Sequence, residues 1–435
     1  MLIPAPRLIL AAAALAALGL AASIAPALAP AWIAAAAALA AFAVVDAVAA
    51  RGIRAPEARR VLPGSLPLGV PRDVVLRLAN TAASPLTCDV HDHHPPGVEA
   101  SGLPQRVTVP ARGWAELRYS VRPVRRGPVE FGLVETRLAS RAGLWQLRRR
   151  VGEATATRVY PNFAALTKFA LLATDHHLSQ IGVLQRRRRG EGLDFHQLRE
   201  YREGDAQRQI DWKASARMRR LVSREYQDER DQQVLLVVDC GRRMSARDGE
   251  LAHFDHVLNA ALLLAYASLR QGDAVGLLTV PGAQRWLAPR KARSTVNLIL
   301  NRLYDLHPTL AATDYHGAAV EVMKRVRKRA LVVVLSNLRD EDDDTLAPAL
   351  ALLQSRHLVL FASLREQALA RALAASADTF DRALTHAASA DYLARRELAF
   401  RRLERGGAVC LDVEPAELPI ALVNRYLDIK RTGRL

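Results

Sequence analysis

Residues 233–240 read Gln233-Val234-Leu235-Leu236-Val237-Val238-Asp239-Cys240. Five apolar residues run without interruption and end on an acid. A strand with one wet face alternates apolar and polar, whereas a parallel strand covered by helices on both faces has no polar side to show. Working outward, the same texture returns at residues 274–280, 330–335, 357–362 and 408–413. Between these runs, residues 254–269, 296–306 and 316–326 carry apolar side chains at helical spacing. Strand and helix in alternation predict an α/β domain over residues 233–435, built on a doubly wound parallel sheet. Ligands of such a sheet sit outside the carboxyl ends of its strands, here near Asp239 and Asn337.

Upstream the texture differs. Residues 61–160 hold short alternating stretches, among them 73–78 and 115–121, parted by Pro and Gly clusters such as 95–97 and 126–128. Regularly spaced short strands predict a small β-sandwich of immunoglobulin-like type. Residues 8–29 contain no charge, and residues 31–45 are again uncharged up to Asp46. Each run approaches the roughly 20 residues that span a bilayer, with Pro26 and Pro30 at the turn. Arg7 precedes the first run, and Arg51, Arg54, Arg59 and Arg60 follow the second, so basic residues keep both ends on the cytoplasmic side. Residues 1–52 are therefore expected to form a transmembrane hairpin in a bacterial inner membrane, with the bulk of the chain in the cytoplasm. A cleaved signal peptide ending at Ala27-Leu28-Ala29 is the competing reading. The second apolar run, which begins directly after that point, argues against cleavage.

The formal net charge of +17 favours anionic partners: headgroups, nucleic acid or acidic proteins. Cys88, Cys240 and Cys410 lie far apart, with no zinc spacing, as reduced thiols would. The run His91-Asp92-His93-His94 looks like a metal cluster but lies in a Pro-rich loop without a distant further ligand, so it reads as a solvated loop. Residues 163–184 read as a helical connector. The run Arg186–Arg189 lacks interleaved aromatics and is a poor single-strand platform, so no specific nucleic acid is expected. There is no Gly-rich phosphate loop, no G-x-S-x-G and no H-E-x-x-H. Asp239 could serve a phosphotransferase as nucleophile, but the second carboxylate such enzymes need two residues on is replaced by Gly241.

Residues 161–232 form a connector and a charged motif. Its block 187–205 reads RRRGEGLDFHQLREYREGD, continues as RQIDWKASAR at 208–217 and LVSREY at 221–226, and leads into the strand ending at Asp239. This long, mixed motif resembles the bacterial family called domain of unknown function 58, most strongly over residues 185–345. The resemblance implies a von Willebrand factor A-like fold and a neighbouring MoxR-type AAA+ ATPase as partner. It brings no catalytic residues and no cofactor. Within the motif Arg199, Arg202, Asp205, Arg208, Asp211, Lys213 and Arg217 mix opposite charges around Trp212. Two roles stand side by side: a partner-binding surface, or a salt-bridged cap anchored by Trp212 that only packs the domains together.

In von Willebrand A domains that bind through a divalent ion, the first strand ends D-x-S-x-S, with a Thr and an Asp added by two further loops. Here Asp239-Cys240-Gly241-Arg242-Arg243 puts Gly241 and Arg243 where the two Ser belong, Thr313 at the second loop and Asn337 at the third. One carboxylate with one hydroxyl does not hold Mg²⁺ against water. A degenerate, metal-free position is expected, with Arg242 or Arg243 pairing with Asp239. The expected function is a membrane-anchored, protein-binding scaffold or adaptor acting with the ATPase in assembly or maturation of other proteins, and not an enzyme. A nucleic-acid- or anionic-lipid-binding protein and a hydrolase using Asp239 are the alternatives.

Overall fold

The computed structural model of the chain describes residues 1–162, 194–202, 207, 210–227, 232–339 and 343–434. These fall into two compact units, Met1–Tyr160 and Pro161–Leu435. The expected helical connector at 163–184 and the Arg186–Arg189 run lie outside the described residues.

The first unit opens with strand β1 (Leu2–Pro4), followed by helices α1 (Pro6–Ile24) and α2 (Ala29–Arg51). A short 3-10 turn, Pro26–Leu28, joins them where the prolines fall. Both helices are long and apolar enough to cross a membrane. They touch through Gly19, where a Cβ would sit 2.8 Å from Nε1 of Trp32. That Nε1 donates to the Leu15 carbonyl at 3.0 Å, so glycine is what lets the indole reach the facing backbone.

The rest of the unit is β-rich. One antiparallel sheet joins β1 to β2 (Leu86–Asp92), β3 (Gln105–Val109), β4 (Val134–Ala139) and β5 (Trp145–Val151) in the order β1-β5-β4-β2-β3. A four-stranded sheet carries the two stretches whose alternation the sequence shows: Val74 and Leu76 lie opposite Tyr119 and Leu117, all buried. A buried ion pair, Arg60 with Asp92 at 2.6 Å, also receives the Tyr119 hydroxyl. In the histidine stretch, His93 Nε2 lies 2.9 Å from Glu135, which also pairs with Arg148 and Arg137. Burial works to raise the Glu135 pKa, but hydrogen bonds from these three partners outweigh it and bring it down to about 2.

In the second unit, β6 (Asp194–Glu200) and β7 (Val222–Gln227) pair antiparallel, with the short helix α3 (Trp212–Met218) between them in sequence. The main sheet follows: β8 (Gln233–Asp239), β9 (Ala274–Val280), β10 (Trp286–Arg290), β11 (Leu331–Ser336), β12 (Leu358–Leu364) and β13 (Val409–Val413). Its order is β10-β9-β8-β11-β12-β13, parallel except for edge strand β10. Helices α4 (His253–Arg270), α5 (Thr295–Leu303), α6 (Tyr315–Arg325), α7 (Asp343–Gln354), α8 (Gln367–Ala374), α9 (Phe380–Arg405) and α10 (Leu418–Arg431) complete the unit.

The uninterrupted apolar run of β8 serves two cores. Val234, Leu236 and Val238 pack with α4 and α10, whereas Leu235 and Val237 pack with α6, α7 and α9. This is the two-faced burial expected of a central parallel strand. Helix α10 is tied to the start of β9 by polar contacts, since the Tyr426 hydroxyl and Lys430 Nζ both donate to buried Asp273. The chain passes to opposite sides of β8 to reach β9 and β11, so a topological switch point falls between β8 and β11.

Candidate functional site

At that switch point β8 ends in Asp239, which is 1% exposed. Its Oδ1 accepts from the Gly241 amide at 2.7 Å and from Thr313 Oγ1 at 2.6 Å. Its Oδ2 accepts from Ser336 Oγ and, more loosely, from the Tyr315 hydroxyl at 3.4 Å. Burial pushes the Asp239 carboxyl above the usual range; the hydroxyls of Ser336 and Thr313, the Gly241 amide and the through-space charge of Arg243 oppose that rise. Hydrogen bonds from hydroxyls and a backbone amide thus reach both oxygens, and Arg243 adds its charge through space.

Local structure explains how these groups meet. The β8–β11 register pairs Val238 with Leu335, which sets Asp239 beside Ser336. The next residue, Asn337, turns its amide elsewhere, donating to Glu366 at 3.2 Å and accepting from Arg396 at 3.2 Å. Thr313 is held by the start of α6, where Asp314 caps the helix by accepting from the Gly317 amide. A Cβ at position 241 would lie 2.4 Å from Thr313 Oγ1. Its φ is −76°, so glycine here makes room for Thr313 and serves no unusual backbone angle. Backbone bonds from Thr309 to Cys240 and from Arg242 to Ala311 strap the loop before α6 across the end of β8. Among the described residues, no group of three or more His, Cys, Asp or Glu could share a metal ion.

The other half of this sheet edge is also filled. Arg396, from α9, donates to Ser363 Oγ, the Leu364 carbonyl and Asp412 at 2.8 Å each, and also to the Leu338 carbonyl. Tyr315 and Arg396 are not among the residues expected here, and at the third loop the expectation falls on Asn337, where its neighbour Ser336 makes the contact. The strand register would have found Ser336. Nothing local to Arg396 marks it, because its partners come from three separate strand ends.

The charged motif has a different character. Asp211 is the N-cap of α3, accepting from the amides of Lys213 and Ala214. Ser215 fastens the helix to β7 by accepting from the Val222 amide at 2.9 Å. These contacts leave Trp212 67% exposed, with Met218 at 50% and Leu221 at 47%. Around them Lys213, Arg217, Arg219 and Arg220 are exposed, as is Arg202. Arg199 reaches the Glu200 carbonyl, and Arg220 lies 4.0 Å from Glu200. Arg219 ends the helix at φ 51°, a left-handed angle at which glycine is the usual residue. Asp205 and Arg208 lie outside the described residues.

Residues 197–378 match the family described as Protein of unknown function DUF58. This stretch belongs to the DUF58 family. The DUF58 region holds both the Asp239 cluster and the α3 surface, while Arg396 and Asp412 fall beyond the matched residues. No curated protein matches the chain. Among solved structures, an aerotolerance-related membrane protein from Bacteroides fragilis is 15% identical, with 45% of this chain and 98% of that one covered and a TM-score of 0.28. Salmonella alpha-2-macroglobulin is 19% identical over 24% of this chain and 7% of its own, with a TM-score of 0.19. A FixG-related protein from Vibrio parahaemolyticus is 9% identical over 25% and 98%, with a TM-score of 0.18. At such scores these likenesses carry no argument about the chain's activity.

Proposed function

We infer that the chain is a membrane-anchored scaffold whose DUF58 region docks an acidic surface of a protein partner, a MoxR-type AAA+ ATPase, in assembly or maturation of other proteins. The observation that carries this reading is the exposure of Trp212 on a short helix that also exposes Lys213 and Arg217. A tryptophan that served only to pack domains together would be buried. Exposed aromatic and apolar side chains amid arginines have instead the composition of a binding hot spot. The filled hydrogen bonds of buried Asp239 favour binding over hydrolysis, because a nucleophilic carboxylate needs an oxygen open to substrate. The strand order and the degenerate D-x-S-x-S position together support a von Willebrand A-like fold that works without a metal.

For the anchor, β1 supplies the supporting contact. Leu2–Pro4 pairs with β5 of the β-rich unit. This pairing supports a reading with the segments before α1 and after α2 on one side, which two membrane crossings allow and one does not. The excess of arginine outside the two spans supports the cytoplasm of a bacterial inner membrane as that side.

The test is association of the purified chain, in detergent, with a MoxR-type AAA+ ATPase. Binding that weakens with salt and falls several-fold in Lys213→Glu or Arg217→Glu is the expected result. No association at low salt would sink the proposal.

A further inference from the structure

The two apolar helices are not free of the β-rich unit. The tip between β4 and β5, residues 140–144, grips the last turns of α2. Asp46 of α2 is 4% exposed and accepts from Ser140 Oγ at 2.5 Å, from the Ala142 amide at 3.0 Å and from the Leu144 amide at 3.3 Å. Trp145 Nε1 donates to the Ala43 carbonyl at 2.8 Å. The Ala5 amide, just before α1, donates to the Leu144 carbonyl at 2.8 Å. Asp46, the one acid in α2, thus accepts on both oxygens from the tip.

This grip limits how much helix is left for hydrocarbon. From Leu8 to Ile24, α1 rises about 25 Å, and from Ala29 to Ala43, α2 rises about 22 Å. A bilayer's hydrocarbon core is about 30 Å thick. Helices that short cannot hold the tip clear of the membrane, because any gap would draw still more of their length out of the hydrocarbon. The tip must lie in the headgroup layer. Its chemistry suits that layer. Arg7 reaches across Gly143, whose Cβ would lie 3.0 Å from Arg7 Nη1, and Gly143 stands at φ 72°. Arg141 in the same tip is exposed, and so are Arg7 and, beyond the grip on α2, Arg51 and Arg54. Trp145, half-buried, supplies the amphipathic ring typical of membrane interfaces.

The geometry points to residues 140–145, with Arg7 and Arg141, as a membrane-embedded foot that binds the headgroups of anionic phospholipids. It rests on the reading of α1 and α2 as an anchor, and the experiment separates the two. The full chain is reconstituted in nanodiscs of phosphatidylcholine with or without phosphatidylglycerol. Cys88, Cys240 and Cys410 are buried, so spin labels can be directed to single cysteines introduced by Leu20→Cys, Arg141→Cys or Arg77→Cys. Relaxation by oxygen and by a water-soluble nickel chelate then reports depth. The expected result is Leu20 in hydrocarbon, Arg141 at the phosphate level and Arg77 in water. Leu20 in hydrocarbon with Arg141 in water overturns the foot and leaves the anchor standing. Leu20 in water overturns the anchor and the foot with it. In the second arm, enrichment of fluorescent phosphatidylglycerol around the protein should fall about fivefold for each arginine removed, the factor that corresponds to ~1 kcal/mol. Because Arg7→Gln could disturb the packing over Gly143, Arg141→Gln is measured alone as well. No preference for phosphatidylglycerol, or none lost in Arg141→Gln, overturns the headgroup assignment.

Discussion

Asp239 and Trp212 sit in the same DUF58 region and invite opposite expectations. The carboxyl edge of a doubly wound sheet is where ligands usually bind, so Asp239 is the residue to suspect. The charged motif before the sheet could equally be packing material. The structure gives the two positions different surroundings. Around Asp239, two loops bring hydroxyls and an amide onto both carboxylate oxygens, and Arg396 fills the neighbouring strand ends. At α3, capping and strand contacts satisfy the backbone while the large apolar side chain is left in water. An exposed apolar side chain is surface left for a contact, whereas a carboxylate already holding hydrogen bonds on both oxygens is not.

The strongest way to break this contrast is to reopen the Asp239 cluster. Asp239→Ala leaves the hydroxyls of Thr313 and Ser336 buried without their acceptor. It should destabilise the chain by about 2–4 kcal/mol in urea unfolding. Gly241→Ser, which restores the residue type of the metal-binding pattern, should cost about 1–3 kcal/mol by forcing Thr313 away. It should also bring no saturable Mg²⁺ binding by calorimetry. A stable Gly241→Ser protein that takes up Mg²⁺ would show the cluster to be a dormant metal site.

Trp212→Ala probes the other side of the comparison. Partner affinity should drop by about 30-fold or more, the equivalent of ~2 kcal/mol, while the urea midpoint stays within about 0.5 kcal/mol of the parent. The reverse pattern, a lost fold with unchanged affinity, would return the motif to the role of packing.

A pH titration sharpens the contrast further. The Asp239 pKa is raised in the folded state, so its stabilising contribution is complete below the unfolded-state value and is lost as pH rises through the folded one. Asp239→Asn keeps hydrogen-bonding capacity without the charge. Its stability should therefore fall less than that of the parent between acid and neutral pH, as measured by urea midpoints at each pH.

The smallest effect is expected at Arg219. Glycine adopts φ 51° without strain, so Arg219→Gly should stabilise the chain by about 0.5–1 kcal/mol and at the same time lower partner affinity slightly. Such a trade, read by unfolding and binding on one preparation, is what strain retained for function looks like.

What the sequence determined by itself is periodic and local. Continuous apolar runs place β8, β9, β11, β12 and β13. Helical spacing places α4, α5 and α6, and two uncharged stretches place α1 and α2. Burial on both faces, on one face or along a stripe leaves a repeat that can be read one residue at a time. Strands β6 and β7 escaped that reading because charged residues crowd the motif. Edge strand β10 escaped because Pro289 and flanking arginines obscure its alternation. What only the tertiary structure decided is which side chains share a space. Asp239 meets Thr313 and Ser336 across 74 and 97 residues of chain, and Asp46 meets Ser140 across 94. Strand register and loop path set these meetings, and they turned Asn337 away from Asp239 and left Trp212 in water. None of these contacts leaves a period in the sequence, because each is made by elements that come together only when the whole unit is folded.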